Sequence, residues 1–276
     1  MKVIAVGTLK GGTGKTTMTY NILGELAERG RVLAIDIDPQ CNLSNNMGLN
    51  ISDNPDAASC LEIFEADNRY PVLPQTLVVE APIKELPTLD IIPSSIRLVA
   101  TELKISGRAG RERILQNYIE DNMKFFKRYD YILIDTNPSM GILNQNAFLA
   151  ADSIVLVTDV DNNSRVGLKL FIDLWDVIRR DLRKENNVKA IVMNKGKLNN
   201  NLSESLRTYL DGDEQLSELF IPQMVREKEV YKHSAMCNLP MNLYKNVCQR
   251  DHRIPARDAS LEIGEVVDLL TAKGVF

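Results

Sequence analysis

Lys10-Gly-Gly-Thr-Gly-Lys-Thr-Thr17 is the stretch whose reading decides the fold. An apolar run, Val3-Ile-Ala-Val6, precedes it, and a helix-like segment from Met18 to Arg29 follows. Strand, glycine-rich turn and helix in that order form the context a phosphate-binding loop requires. Glycines admit positive φ and let the backbone approach an anion with no Cβ in the way. The loop N–H groups and the first helical turn supply donors and roughly half a positive charge for phosphate oxygens. Gly11, Gly12, Thr13, Gly14, Lys15, Thr16 and Thr17 are therefore expected to cradle nucleotide phosphates. Lys15 is expected at the β/γ-phosphates and the Thr16 hydroxyl at Mg²⁺. The strict spacing G-x-x-x-x-G-K-[ST] would begin with glycine at position 9, where the chain has Leu9; a second lysine, Lys10, stands beside it.

Three further runs extend the pattern. Val32-Leu-Ala-Ile-Asp-Ile-Asp38 and Tyr129-Asp-Tyr-Ile-Leu-Ile-Asp135 are continuous apolar stretches ending in acids. They read as buried parallel strands that deliver carboxylates at their C-terminal ends. Two acids spaced i, i+2 on a strand share a face, so of Asp36 and Asp38 one is expected beside Thr16 and the other toward the γ-phosphate. Asp135 is expected to hold Mg²⁺ through a coordinated water. Ser153-Ile-Val-Leu-Val-Thr158, Val188-Lys-Ala-Ile-Val-Met-Asn194 and the short Thr88–Pro93 read as more strands. Helices are expected over Arg111–Lys127, with Ile114, Leu115, Tyr118, Ile119 and Met123 on one face, and over Arg165–Arg183, with Trp175 in its core stripe. Residues 48–88, with prolines at 55, 71, 74, 82 and 87, read as a loop-rich connection holding one short helix near Ala57–Ala66. Strands alternating with helices specify an α/β fold, a doubly wound and mostly parallel sheet, with the ligand beyond the strands' C-terminal ends. A single domain over 1–276 is expected.

Composition narrows the function classes. The 276 residues are 44% hydrophobic and 25% charged, ordinary for a globular chain with a sizeable core. A net charge of −4 means that nucleic acid would have to be met by a local basic patch. One Trp and 6% aromatics argue against stacking platforms for single strands. Cys41, Cys60, Cys237 and Cys248 form no C-x-x-C pair, and His233 and His252 lack metal-ligand spacing, so a zinc site or disulfide framework is not expected. No signal peptide and no run of 18 apolar residues is visible, and the expectation is a cytoplasmic protein with no membrane partner.

The loop with its extra lysine resembles the deviant Walker A motif of the ParA/MinD superfamily, in which Lys10 would be the signature lysine. Ile35-Asp-Ile-Asp-Pro-Gln-Cys-Asn-Leu-Ser44 is similar to the family's second motif, with Cys41 where glycine is usual. Asp135-Thr-Asn-Pro-Ser-Met-Gly141 resembles its switch II segment, with Asn137 in place of the first proline. The resemblance covers nearly the whole chain, strongest over 3–45 and 129–149, and points to the short, Soj-type branch. It implies that Asp38 orients the attacking water and that Asp36 supports the metal and loop. It places Asn194 at the adenine edge, with Pro222 and Met224 as looser neighbours of the base.

The resemblance also implies an activity: ATP hydrolysis with Mg²⁺, slow and partner-stimulated. In the family, the signature lysine crosses to the other subunit's phosphates in an ATP-dependent homodimer. The partition branch binds double-stranded DNA non-specifically in the ATP state, associates with the nucleoid, and answers to a ParB-like centromere-binding protein. Candidate DNA contacts are Lys245, Arg250, Arg253 and Arg257, favoured over Arg179, Arg180, Arg183 and Lys184. A MinD-like membrane switch would need a basic amphipathic C-terminal helix, whereas the run from Leu261 to Phe276 carries acids and one lysine. A metabolic P-loop phosphotransferase or ligase remains the other alternative, since phosphate handling alone does not name an acceptor.

Overall fold

Seven strands form one sheet, and their composition explains why both of its faces are covered. The computed structural model describes residues 1–54, 56–66, 71–159, 164–196 and 213–276; Pro55 lies outside them. The strands are β1 (Lys2–Gly7), β2 (Val32–Asp36), β3 (Leu89–Ile92), β4 (Tyr131–Asp135), β5 (Ser153–Thr158), β6 (Val188–Gly196) and β7 (Phe220–Arg226). Their order is β3-β2-β4-β1-β5-β6-β7, and every pairing is parallel. Successive side chains alternate between faces. Val3 and Ala5 join Leu33, Ile35, Ile132 and Ile134 in one core, while Ile4 and Val6 join Val32, Ala34 and Leu133 in the other.

Helices cover each face. α1 (Lys15–Ala27) presents Met18, Ile22 and Leu26 to the second core, beside Ile263, Val266 and Leu270 of the C-terminal helix Arg253–Ala272. Full burial of each such side chain contributes about 1.5–3 kcal/mol. The short α2 (Asn42–Asn46) follows β2. The opposite face carries α3 (Leu61–Glu65), α4 (Leu98–Ile105), α5 (Ile114–Asp121), α6 (Met123–Phe126), α7 (Ile142–Ala150) and α8 (Ser164–Asp181). Trp175 of α8 is a core residue whose Nε1 donates to Asn187 Oδ1 at 2.9 Å.

Three element boundaries differ from the sequence reading. The helix expected over Arg111–Lys127 is broken into a 3₁₀ turn (Arg111–Arg113), α5 and α6. Asn122 sits at the break, where its side chain donates to Tyr118 O at 3.0 Å, a local bond that competes with the helical ladder. β2 ends at Asp36, two residues short of Asp38, because the chain turns into a tight loop around the Asp36 carboxylate. β6 runs on to Gly196, past Asn194, and β7 covers Phe220–Arg226, so Pro222 and Met224 lie on a strand.

β1 lies between β4 and β5, so chain connections depart to both sides of it. That is the switch point of a doubly wound sheet, where a crevice opens beyond the strand ends. The glycine-rich loop leaves β1 at this point.

Candidate nucleotide-binding site

The loop from Thr8 to Gly14 turns through two left-handed glycines, Gly12 and Gly14, each at φ 81°. Gly14 precedes the first residue of α1. A Cβ on Gly14 would lie 2.3 Å from Asn194 Nδ2, so the position demands glycine for both conformation and space. Asn194, delivered by β6, donates to Thr13 O at 2.8 Å and ties the loop to the neighbouring strand. A cleft of about 280 Å³ is lined by Lys10 to Thr17 together with Asp38, Gln40, Asn42 and Pro138.

Asp135 is the electrostatic centre. It is fully buried at the end of β4. Lys15 Nζ lies 2.7 Å from its Oδ1, the Thr16 hydroxyl donates to Oδ2 at 2.8 Å, and the Thr19 hydroxyl donates to Oδ1 at 2.9 Å. α1 delivers all three partners, because positions i, i+1 and i+4 of its first turns face the end of β4. Thr19 was not singled out by motif; its signal is the repeat of a threonine three residues after Thr16, on the face toward β4.

The two acids of the second motif divide. Asp36 accepts from Asp38 N at 3.1 Å, Ser44 N at 2.9 Å and Ser44 Oγ at 2.7 Å, so the structure engages its carboxylate with the loop that follows β2. Burial, with the nearby Asp135 charge, pushes its carboxyl up to about 7. Asp38 opens into the cleft instead, with one oxygen accepting Gln40 N–H at 2.9 Å. Its carboxyl is raised, chiefly by burial, against the opposing Gln40 N–H and Lys15 charge. Cys41 takes φ 54° between these acids and α2, a left-handed position, which is the physical reason for glycine in the related motif.

The loop after β4 is held by a residue absent from the motif. Asn144 on α7, fully buried, donates from Nδ2 to Asn137 O at 2.8 Å and to Ser139 O at 2.7 Å. The rigidity a proline would give at position 137 is thus replaced by side-chain bonds.

Lys10 lines the cleft and is also tied to an acid outside it. Its ammonium pairs with Asp159 at 2.8 Å, just past the end of β5, and Ser164 Oγ donates to the same carboxylate at 2.6 Å. Asp159 carries the signal used for Asp36 and Asp135, an acid at the end of an apolar strand, and is a fourth acid at this edge.

Hard oxygen donors from Thr16 and Asp135 suit Mg²⁺, which keeps several waters and takes its remaining ligands from phosphates. No group of three or more His, Cys, Asp or Glu side chains able to hold a metal occurs among the described residues. The buried Thr13 Oγ1, on the loop, has no hydrogen-bond partner among the described residues.

The basic clusters also separate. Arg179 and Arg180 bond to Asp176, and Lys184 Nζ donates to Leu149 O at 2.9 Å. Lys245 is half-buried and donates to Ser260 Oγ at 3.0 Å. Arg250, Arg253 and Arg257 are exposed. No described helix is long and apolar enough to cross a membrane.

A family profile described as an AAA domain matches residues 1–190. The chain is 33% identical over 194 residues to an uncharacterized Mycobacterium tuberculosis protein, covering 70% of this chain and 57% of that one. It thus spans just over half the length of that relative. It is 30% identical over 237 residues to the sporulation initiation inhibitor protein Soj of Bacillus subtilis, covering 84% of this chain and 88% of Soj. Among solved structures, a plasmid partition protein of Borrelia burgdorferi bound to AMPPNP superposes with a TM-score of 0.72 at 22% identity, covering 95% of this chain and 97% of that one. Cobyrinic acid a,c-diamide synthase of Mycobacterium smegmatis reaches 0.76 at 21% identity, covering 98% and 94%. At such identities these two share the fold and nothing more specific. By its matching profile, by its likeness to Soj over most of both chains, and by the lysine-bearing loop at the switch point, this protein belongs to the ParA/MinD superfamily of P-loop ATPases, close to the Soj-type partition proteins.

Proposed function

We propose that this chain is an ATP-driven dimerising switch for DNA partition. The observation that carries the reading is the pair of loop lysines held by separate acids, Lys15 by Asp135 and Lys10 by Asp159. A triphosphate with Mg²⁺ supplies negative charge at the loop and a cation for Asp135. Lys15 can then leave Asp135 for the β/γ-phosphates, with Thr16 and Asp135 as the metal-side oxygens. Lys10, on the rim, serves the phosphates of a second copy, as an arginine finger does in trans. Asp38, at the open end of the cleft with one oxygen fixed by Gln40 N–H, orients the attacking water. Catalysis is then mainly positioning and charge neutralisation, slow until a ParB-like partner completes the site.

DNA is the output. Arg253 and Arg257 lie in the N-terminal turns of the C-terminal helix, where the helix dipole disfavours cations. Their placement is therefore not explained by helix stability. With Arg250 they form an exposed basic edge on a protein of net charge −4.

The test is binding to random duplex DNA over a salt series with ATP and with ADP. Binding in the ATP state alone is expected, with a log–log slope of about −0.9 per phosphate neutralised. Equal binding with both nucleotides, or none with either, refutes the partition reading and leaves the ATPase site standing.

A further inference from the structure

We propose that Thr19 is a positioning residue for the carboxylate of Asp135: its hydroxyl takes over Oδ1 when Lys15 moves to the phosphates, and so keeps Asp135 oriented toward the cation. The proposal rests on the nucleotide-site reading above and goes beyond it, since the phosphate-loop motif ends at Thr16 and assigns nothing to position 19.

Thr19 lies one helical turn after Lys15 on α1, and none of it is exposed. Its Oγ1 stands between two oxygens, Lys15 O at 3.1 Å and Asp135 Oδ1 at 2.9 Å. Neither neighbour donates, one being a backbone carbonyl and the other a carboxylate paired with an ammonium. A hydroxyl carries one proton, so Thr19 serves one of the two at a time. Turning the O–H about the Cβ–Oγ1 bond moves the proton between them while every heavy atom stays in place. A threonine inside a helix commonly donates its hydroxyl to the carbonyl four residues back. Here α1 also brings that hydroxyl to the end of β4, and a second acceptor comes within reach.

The second acceptor matters because the partners of Asp135 change. In the nucleotide-free protein Lys15 Nζ sits on Oδ1 at 2.7 Å and the Thr16 hydroxyl on Oδ2 at 2.8 Å. Once Lys15 is on the β/γ-phosphates, Oδ1 loses its ammonium, and Asp135 has no exposed surface through which water could replace it. A buried acceptor left without a donor is costly. Among the described residues, Lys15 and Thr19 are the two donors on Oδ1. With Lys15 gone, the Thr19 proton therefore stays on Oδ1 and leaves the Lys15 carbonyl to its helical bond. Thr16 and Thr19 then hold one oxygen each, which fixes the plane of the carboxylate. Either hydroxyl alone would leave the other oxygen free to swing. Groups that orient a metal-side carboxylate in this way are worth about 10- to 100-fold in metal affinity.

The experiment measures equilibrium binding of the non-hydrolysable analogue AMPPNP to full-length proteins, across a Mg²⁺ titration and in EDTA. Thr19→Val keeps the shape of the side chain and deletes the hydroxyl; Thr19→Ser keeps the hydroxyl and deletes the methyl. Thr19→Val is expected to need about tenfold more Mg²⁺ than wild type for half-maximal binding and to reach the same plateau. In EDTA its affinity is expected to stay within about threefold of wild type, because the group it orients acts on the metal. Thr19→Ser is expected to follow wild type in both readings. Wild-type Mg²⁺ dependence in Thr19→Val overturns the proposal. So does a parallel loss of binding in EDTA, which would assign Thr19 to packing or loop geometry, and so does a Thr19→Ser protein that behaves as Thr19→Val does. Should Thr19→Val not fold, Thr19→Ala set against Thr19→Ser reads the same split. If the unaltered protein binds no AMPPNP, or binds it equally with Mg²⁺ and with EDTA, the reading of a Mg²⁺-nucleotide site fails and the proposal falls with it.

Discussion

At the scale of single residues, the site is a set of charges that neutralise one another. Asp135 takes three donors from one helix, and Lys10 is held by Asp159. The glycines are unequal within this arrangement. Gly11 has open space around a Cβ, whereas Gly14 combines φ 81° with Asn194 Nδ2 at 2.3 Å. Gly14→Ala is expected to cost about 1–2 kcal/mol in backbone conformation alone, and to abolish ATP binding because the loop must shift off Asn194. Gly11→Ala is expected to leave the melting temperature within about a degree or two, as substitutions into open space do. Thermal melts and nucleotide titrations of both variants check this. Equal stability for the two would remove the steric role of Asn194. Motif spacing was enough to single out Lys15, Thr16, Asp38 and Asp135. It could not show that Asp36 bonds to Ser44, because that depends on where β2 stops.

At the scale of elements, α1 joins the phosphate loop to the C-terminal helix. Glu25 of α1 faces Ser260, with Lys245 bonded to the same hydroxyl, and Arg29 pairs with Asp268 at 2.7 Å. The Glu25 carboxyl is raised above its ordinary range, first by burial and then by Glu28, against the opposing pull of Lys245 and Arg29. A carboxyl raised in the folded state binds its proton more readily there than in the unfolded chain. Its contribution therefore favours folding at acid pH and is lost as pH rises through the folded value. Glu25→Gln is expected to flatten this part of the stability profile, so that the variant gains on wild type toward neutral pH. Denaturant midpoints between pH 5 and pH 8 test it; a variant that loses ground toward neutral pH contradicts the burial account. The helix over 111–127 shows the limit of periodicity at this scale. Its apolar face is as expected, with Leu115 and Ile119 buried, yet Asn122 breaks it through a local bond that a hydrophobic pattern does not register.

At the scale of the whole molecule, the role in trans proposed for Lys10 makes the oligomeric state the variable to measure. Asp38→Ala is expected to bind ATP and accumulate as a dimer, since the residue proposed to orient water is gone while the cradle is intact. Lys10→Ala is expected to bind ATP and to lose most of its hydrolysis, on the order of the 10³-fold effect of a trans cation. Size-exclusion chromatography with light scattering, with ATP and with ADP, reads the first; steady-state phosphate release reads the second. A monomeric Asp38→Ala protein with ATP, or a fully active Lys10→Ala protein, sinks the proposal of an ATP-dependent dimer with Lys10 acting in trans.

What the chain by itself determined is the alternation of apolar runs and helices, the parallel sheet, the loop at its switch point, and the carboxylates at strand ends. These are local consequences of side-chain periodicity and of glycine's conformational freedom, and they are written within short windows. Only the tertiary structure decided which acid holds which lysine, that Asn194 clamps the loop, that Asn144 replaces a proline's stiffness, and that Thr19 reaches Asp135. Those contacts join residues far apart in the chain, such as Asn194 with Thr13 and Lys10 with Asp159. They depend on where parallel strands place their ends side by side, and no window of sequence contains that distance.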